Sequence, residues 1–332
     1  MADCRLAIEA ATMVLVALMW FTDLRPAAAQ QAGRVPSIGY VGLPNEATES
    51  RWQNGFGHGL RELGYIPGQT IVVAVRSYTT NDQLHEVLQG LVRQKVDVIF
   101  VGPPIAALAA TQATKDIPIV CGSCGDPIEN GLAASLARPG GNVTGLASLS
   151  AELIGKRMEL MKELLPGLSR AVAFVFLANP GTRATVRALE EAGRALNLEI
   201  KQTEIRGPGD FESAFRSAAR GGAGAVIIQD DPLTRSVGTQ IAELALRYRL
   251  PVSSGVFELA DSGVLMAYGP DRVDLYRRAA GVVDKILKGA KAGELPFEQA
   301  TKFGLVLNLR TARALGVTIP QSLLLRADRV IE

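Results

Sequence analysis

Short, wholly apolar runs alternate with longer stretches that place apolar residues every three or four positions, from residue 37 onward. The run Ser37–Gly42 has the length and character of a buried strand. A loop (43–50) and a helix closing at Leu63-Gly64 follow it. Residues 70–76 predict a second strand, and Leu84, Val87, Leu88 and Leu91 mark one face of a helix over Asn81–Gln94. A buried strand at 96–101, a helix at 104–114 and a strand at 117–121 complete the unit. Strands and helices in alternation predict a parallel sheet with helices on both faces.

The pattern then begins again. Strands at 171–177, Glu199–Glu204, 225–229 and 251–254 enclose helices at 183–196, 211–219 and 235–247. Pro118-Ile119-Val120 and Pro251-Val252-Ser253 stand 133 residues apart, and the strand-end loops Gly102-Pro103-Pro104 and Asp230-Asp231-Pro232 fill equivalent places. The expected fold is α/β: two Rossmann-like lobes, each a parallel sheet flanked by helices, joined by a three-strand hinge. Ligands of open α/β sheets sit beyond the carboxyl ends of the strands, so two such rims facing each other form a closable cleft. Segments 140–145, 264–269 and 302–308 are the expected connections, the last after a long helix at 273–288. Residues 36–145 with about 270–300 then form one lobe, and about 146–268 with about 301–332 the other.

The first 29 residues break the pattern. Arg5 precedes twelve residues of apolar type (10–21), which span about 18 Å as a helix against the roughly 30 Å of a bilayer core. Such a stretch, followed by Ala27-Ala28-Ala29-Gln30, reads as a secretory signal cut after Ala29, with an uncleaved anchor as the alternative. Removing it leaves 33 basic and 30 acidic residues, a net +3, and makes the periplasm the expected compartment. Both signs of charge are spread along the chain without a basic stripe, so nucleic acid is not an expected partner. Two His and three Cys furnish neither a His-rich metal site nor a disulfide scaffold, and no metal or cofactor is expected. Gly-x-Ser-x-Gly is absent and no Ser or Cys has a histidine placed as its base, so the chain is not expected to be an enzyme.

Two motifs have structural readings. Gly55-Phe56-Gly57-His58-Gly59 lies some thirteen residues past its strand, inside a helical pattern, which suits close helix packing rather than a nucleotide loop. Cys121-Gly122-Ser123-Cys124 follows a strand and precedes the turn Gly125-Asp126-Pro127. That placement favours two buried thiols or a structural disulfide over a redox pair at a helix start. The candidate ligand contacts lie in the strand-end loops. Pro103 and Pro104 introduce a helix whose free N–H groups can receive an anion, and Ser123 and Asp126 sit at the neighbouring strand end. Asp230 and Asp231 follow a buried strand of the opposite lobe, where a carboxylate can hold an ammonium group; Asp231-Pro232 equally fits a helix N-cap. Asn45 and Asn179 belong to the first-strand loops of the two lobes, Ser254 lies at 251–254, and Tyr268 offers a ring to the cleft or plain packing. A helix terminus opposed to a carboxylate suits a zwitterion.

Ordered fragments along the chain then carry a resemblance. They include Gly55-Phe56, Leu63-Gly64-Tyr65, Gly102-Pro103-Pro104 and Gly125-Asp126-Pro127, and the most specific is Arg138-Pro139-Gly140-Gly141-Asn142-Val143-Thr144-Gly145. Ala314-Leu315-Gly316-Val317-Thr318-Ile319-Pro320 closes the series. In these the chain resembles the ABC-transporter substrate-binding proteins that include tryptophan- and tyrosine-binding members, a branch of the type I periplasmic binding protein fold. The resemblance implies a monomeric receptor that captures a small polar or zwitterionic ligand, such as an amino acid or an aromatic compound. It would deliver that ligand to an inner-membrane ABC permease with its cytoplasmic ATPase. The alternative is a ligand sensor subunit of the same fold that docks onto a signalling receptor. A transcription regulator of this lobe design would carry a helix-turn-helix where residues 1–35 carry a signal.

Overall fold

The computed structural model describes residues 34–43 and 47–332, so the segment expected to be a signal and Asn45 lie outside the described residues. Among the described residues, thirteen strands form two sheets. The first sheet contains β1 (Ser37–Gly42), β2 (Val72–Ser77), β3 (Val98–Val101), β4 (Ile119–Cys121), β5 (Val143–Ala147) and β11 (Glu298–Gln299), in the order β11-β5-β4-β3-β1-β2. All its pairs are parallel. The second contains β6 (Arg170–Val175), β7 (Glu199–Glu204), β8 (Ala225–Ile228), β9 (Val252–Ser254), β10 (Met266–Pro270), β12 (Phe303–Asn308) and β13 (Arg329–Ile331). Its order is β13-β12-β10-β9-β8-β6-β7, parallel except for the antiparallel β10–β12 pair.

The two sheets repeat one topology. In each, the second strand lies outside the first and the third lies on its other flank: β2-β1-β3-β4-β5 and β7-β6-β8-β9-β10. The repeat read in the sequence is thus two similar α/β lobes. Central strands β3 and β8 are buried along their whole length, whereas the flanking β2 and β7 are largely exposed. Their sequences follow suit, Val98–Val101 being wholly apolar and Glu199–Glu204 mostly polar. Of the described residues, no helix is long and apolar enough to cross a membrane.

Helices cover both faces. They are α1 (Ala47–Glu62), α2 (Asn81–Gln94), α3 (Pro104–Ala113), α4 (Ile154–Leu164), α5 (Thr182–Leu196) and α6 (Asp210–Arg220). Further along come α7 (Pro232–Ser236), α8 (Gly238–Arg247), α9 (Phe257–Ser262), α10 (Arg272–Leu287), α11 (Leu309–Leu315) and α12 (Gln321–Leu324). The single helix expected at 235–247 is two, divided at Val237, because Asp231 caps a short turn that starts with Pro232. The glycines of α1 serve packing, as their position in a helical pattern indicated. A Cβ on Gly59 would stand 2.2 Å from the Arg277 carbonyl oxygen and one on Gly55 would stand 2.8 Å from that of Val273, so α1 and α10 meet backbone to backbone.

The chain passes between the sheets three times: between β5 and α4, at Asp271 between β10 and α10, and between β11 and β12. Each passage is displaced by a few residues from the segment the sequence suggested. Residues 264–269 and 302–308 fall largely within the antiparallel β10–β12 pair, because their nearly continuous apolar runs suit strands buried on both faces. An aromatic series links the first core to the cleft. Phe56 and Phe100 lie 4.3 Å apart by ring centroids, Phe100 and Tyr276 5.3 Å, and Tyr276 and Trp52 5.5 Å. Each such pair contributes about 0.5–1.5 kcal/mol beyond area burial.

Candidate functional site

The carboxyl ends of β3, β4 and β8 converge on a cavity of about 90 Å³. On the measure by which one water needs about 10–15 Å³, it has room for roughly six to nine waters. Six of the residues singled out in the sequence line it: Pro103, Pro104, Ser123, Asp126, Asn179 and Asp230. Three others do not. Asp231 is the cap of α7, accepting from the Leu233 N–H at 2.9 Å and from Asn179 Nδ2 at 2.8 Å. Ser254 is buried with its Oγ accepting from the Val256 N–H. Tyr268 packs, half-buried, against the apolar core of the second lobe.

The wall contributed by the first sheet is neutral over most of its extent. Pro103 and Pro104 begin α3, but its Ala106 and Ala107 N–H groups already bond to the Pro103 carbonyl, so the helix start has little left to offer an anion. Cys121 and Cys124 are joined in a buried disulfide that brackets Ser123, in keeping with the structural reading of the motif. Asp126 accepts from the Ile128 and Glu129 N–H groups through one oxygen, which makes a tight turn. That turn presents Asn130, whose Nδ2 donates to the Cys124 carbonyl at 2.8 Å. With the amide fixed this way, Asn130 Oδ1 is a buried acceptor with no partner among the described residues.

The opposite wall is charged, through residues the strand-end search did not reach. Arg235 of α7 lies 3.3 Å from one oxygen of Asp230, and Arg272, at the start of α10, bonds to the other. Both guanidinium groups lie over the Trp52 ring, 5.0 and 5.6 Å from its centroid. Arg272 also donates to the Gly255 carbonyl at 3.0 Å. A third arginine, Arg157 of α4, is 2% exposed and donates through Nη1 to the Ile228 carbonyl at 3.3 Å. Its Nε has no partner, and no described carboxylate lies within ion-pair distance of it. Burial lowers the pKa of Arg157 and of Arg272 to about 10, which leaves both charged at neutral pH. Gln229 steadies this wall from behind, accepting from the Phe176 N–H and donating to Thr182 Oγ1 at 2.9 Å.

Contacts also bridge the two lobes. Trp52 Nε1 of α1 donates to Glu258 of α9 at 3.0 Å, and Arg51 pairs with Asp261 at 2.8 Å. Arg187 of α5 reaches Glu129 of the turn after β4. Two α/β lobes closed over a cavity at facing strand ends define a solute-binding protein of the type I periplasmic architecture. The chain belongs to the family of ABC transporter substrate binding proteins, which matches residues 46–331. It is 26% identical, over 85% of its length and 81% of the relative's, to a tyrosine-binding protein of Clostridioides difficile. Its fold is similar to a conserved domain protein of Vibrio cholerae (TM-score 0.85, 24% identity, 90% of this chain and 100% of that one). A Streptococcus pneumonia ABC domain in complex with L-Trp is similar to the same degree (TM-score 0.83, 23% identity, 90% and 100%). The family consists of binding proteins and the chain is not an enzyme.

Proposed function

We propose that the protein is the periplasmic solute-binding component of an ABC importer. It captures a small polar organic ligand between its lobes and delivers it to an inner-membrane permease. The observation that carries this reading is the cavity itself, walled by strand ends of both sheets and bridged on either side by contacts between the lobes. A ligand bound there stabilises the closed arrangement by its contacts to both walls, and closure is the signal a permease can read. The tyrosine-binding relative supports a ligand of amino-acid size. The apolar run and Ala27-Ala28-Ala29 support export.

The test is a thermal-shift screen of the protein, unfolded and refolded to remove co-purified ligand, against amino acids, organic acids, nucleosides and sugars. A ligand at about 100 times its Kd stabilises by about 2.7 kcal/mol, and a single responding class is the expected result. Uptake of that ligand by cells, lost when the chain is deleted, is the expected sign of permease delivery. Tight binding with unchanged uptake would overturn the transport role.

A further inference from the structure

Resting on that reading, the geometry points to the class of ligand: we propose an organic monoanion that carries a carboxylate and a hydroxyl donor but no ammonium group. The carboxylate seats against Arg157 and the hydroxyl donates to Asn130. Both side chains line the cavity, both are more than nine-tenths buried, and each leaves one polar atom without a partner: a donor on Arg157 and an acceptor on Asn130. A ligand with an acceptor group at one end and a donor at the other satisfies both.

The charge balance of the wall selects the acid. Across the whole cavity lining the charged residues are Arg157, Arg235 and Arg272 against Asp126 and Asp230, a net +1. Asp230 is shared by Arg235 and Arg272, which leaves Arg157 without a carboxylate among the described residues. A buried unpaired guanidinium is costly, and a carboxylate meets its planar fork with charge-assisted hydrogen bonds. An ammonium group finds no such reception. Asp230 already holds two arginines, and Asp231 is committed to the α7 cap and to Asn179. Asp126 turns one oxygen to two backbone N–H groups. A second positive charge brought among three buried arginines meets repulsion instead. The ammonium pocket suggested by the Asp230-Asp231 pair in the sequence is therefore closed by the protein's own groups.

The experiment uses matched pairs that differ only at the donor: lactate and alanine, 3-phenyllactate and phenylalanine, 4-hydroxyphenyllactate and tyrosine. The primary amides of the hydroxy acids and myo-inositol serve as uncharged probes. Affinity is read by thermal shift and then by calorimetry on the full chain. In at least one pair the hydroxy acid should bind about 10-fold or more tighter than the amino acid. It should bind at least about 30-fold tighter than its own amide. Arg157→Gln should abolish the preference for acid over amide. If that variant fails to fold, the acid–amide and hydroxy–amino comparisons on the unaltered protein still decide the matter. An amino acid bound more tightly than its hydroxy partner, an amide bound as tightly as its acid, or a response to myo-inositol alone would overturn the inference and leave the receptor reading standing. No response to any probe of any class would overturn the receptor reading on which the inference rests.

Discussion

On the first-sheet side of the cleft, Pro103, Pro104, Ser123 and Asp126 are held by backbone bonds, ring constraints and the Cys121–Cys124 disulfide. On the second-sheet side, Asp230 and Arg235 are held by charge, with Arg272 reaching over from α10, while Arg157 bonds only to the Ile228 carbonyl. The first kind of wall keeps its shape whatever the cavity contains. The second kind couples shape to occupancy, because desolvated arginines favour any arrangement that supplies a counter-charge. One side of the site is therefore a fixed platform and the other is where stability and ligand choice meet. Substitutions on the two walls should therefore behave differently.

The largest effect is expected at Asp230. Asp230→Ala leaves Arg235 and Arg272 buried without their shared carboxylate. Breaking a buried pair by removing one partner costs about 3–5 kcal/mol. Urea unfolding should show this loss, and an anionic ligand should recover part of it. An unchanged midpoint would mean that the second wall is not held by charge.

The disulfide comes next. It closes a very short loop, for which the chain-entropy estimate is about 2 kcal/mol. The double substitution Cys121→Ser, Cys124→Ser should lower stability by that amount, and a reductant should do the same to the unaltered protein in thermal unfolding. Ligand preference between acid and amide should not change. A shift in that preference would mean that the platform takes part in selection, and would erase the distinction between the walls.

The same contrast explains what could be read from the sequence. The sheet pattern was legible because buried strands such as Val98–Val101 and Ala225–Ile228 are apolar without interruption, and because the α2 helix Asn81–Gln94 is bounded by a Thr80 cap and a left-handed Lys95. The platform was legible too, since the carboxyl-end rule points directly to the loops holding Pro103 and Ser123, as it does to those of Asn179 and Asp230 on the second wall. Arg157, Arg235 and Arg272 were not. Each sits on a helix, where a charged residue usually faces water, and only the approach of α4, α7 and α10 to one cavity buries them. Asn130 was hidden likewise, because its orientation depends on a bond to Cys124 across a turn. The helix start at Pro103-Pro104 suggested an anion site on the first wall, whereas the buried arginines place positive charge on the other side.

A smaller effect is expected at the lobe–lobe contact outside the cavity. Arg187 and Glu129 are both substantially solvent-exposed, and such pairs contribute about 0.2–1 kcal/mol. Arg187→Ala should weaken ligand affinity by a few-fold at most, because it loosens only the closed form. The difference should fade in high salt, where exposed pairs are screened. A loss that persists in high salt would show Arg187 acting on the site itself.

The smallest and most diagnostic change is Glu258→Gln. Glu258 accepts from Trp52 Nε1 across the lobes, and burial raises its pKa above the usual carboxylate value despite the Trp52 hydrogen bond and the nearby Arg51 and Arg235 charges. A raised folded-state pKa means that the folded protein holds the proton more tightly than the unfolded chain does. The stabilising contribution is then present in full below the unfolded pKa and is lost as pH rises through the folded one. Ionising this carboxylate in the folded protein is therefore a cost, which glutamine avoids while its Oε1 still accepts from Trp52. Thermal unfolding should show Glu258→Gln more stable than the parent at pH 7, with the gap closing as pH falls through the titration of Glu258. A gap of opposite sign would mean that Arg51 and Arg235 outweigh desolvation at this position. The lobes would then be held together by charge on the α1–α9 side as well, and the neutral platform would end at Trp52.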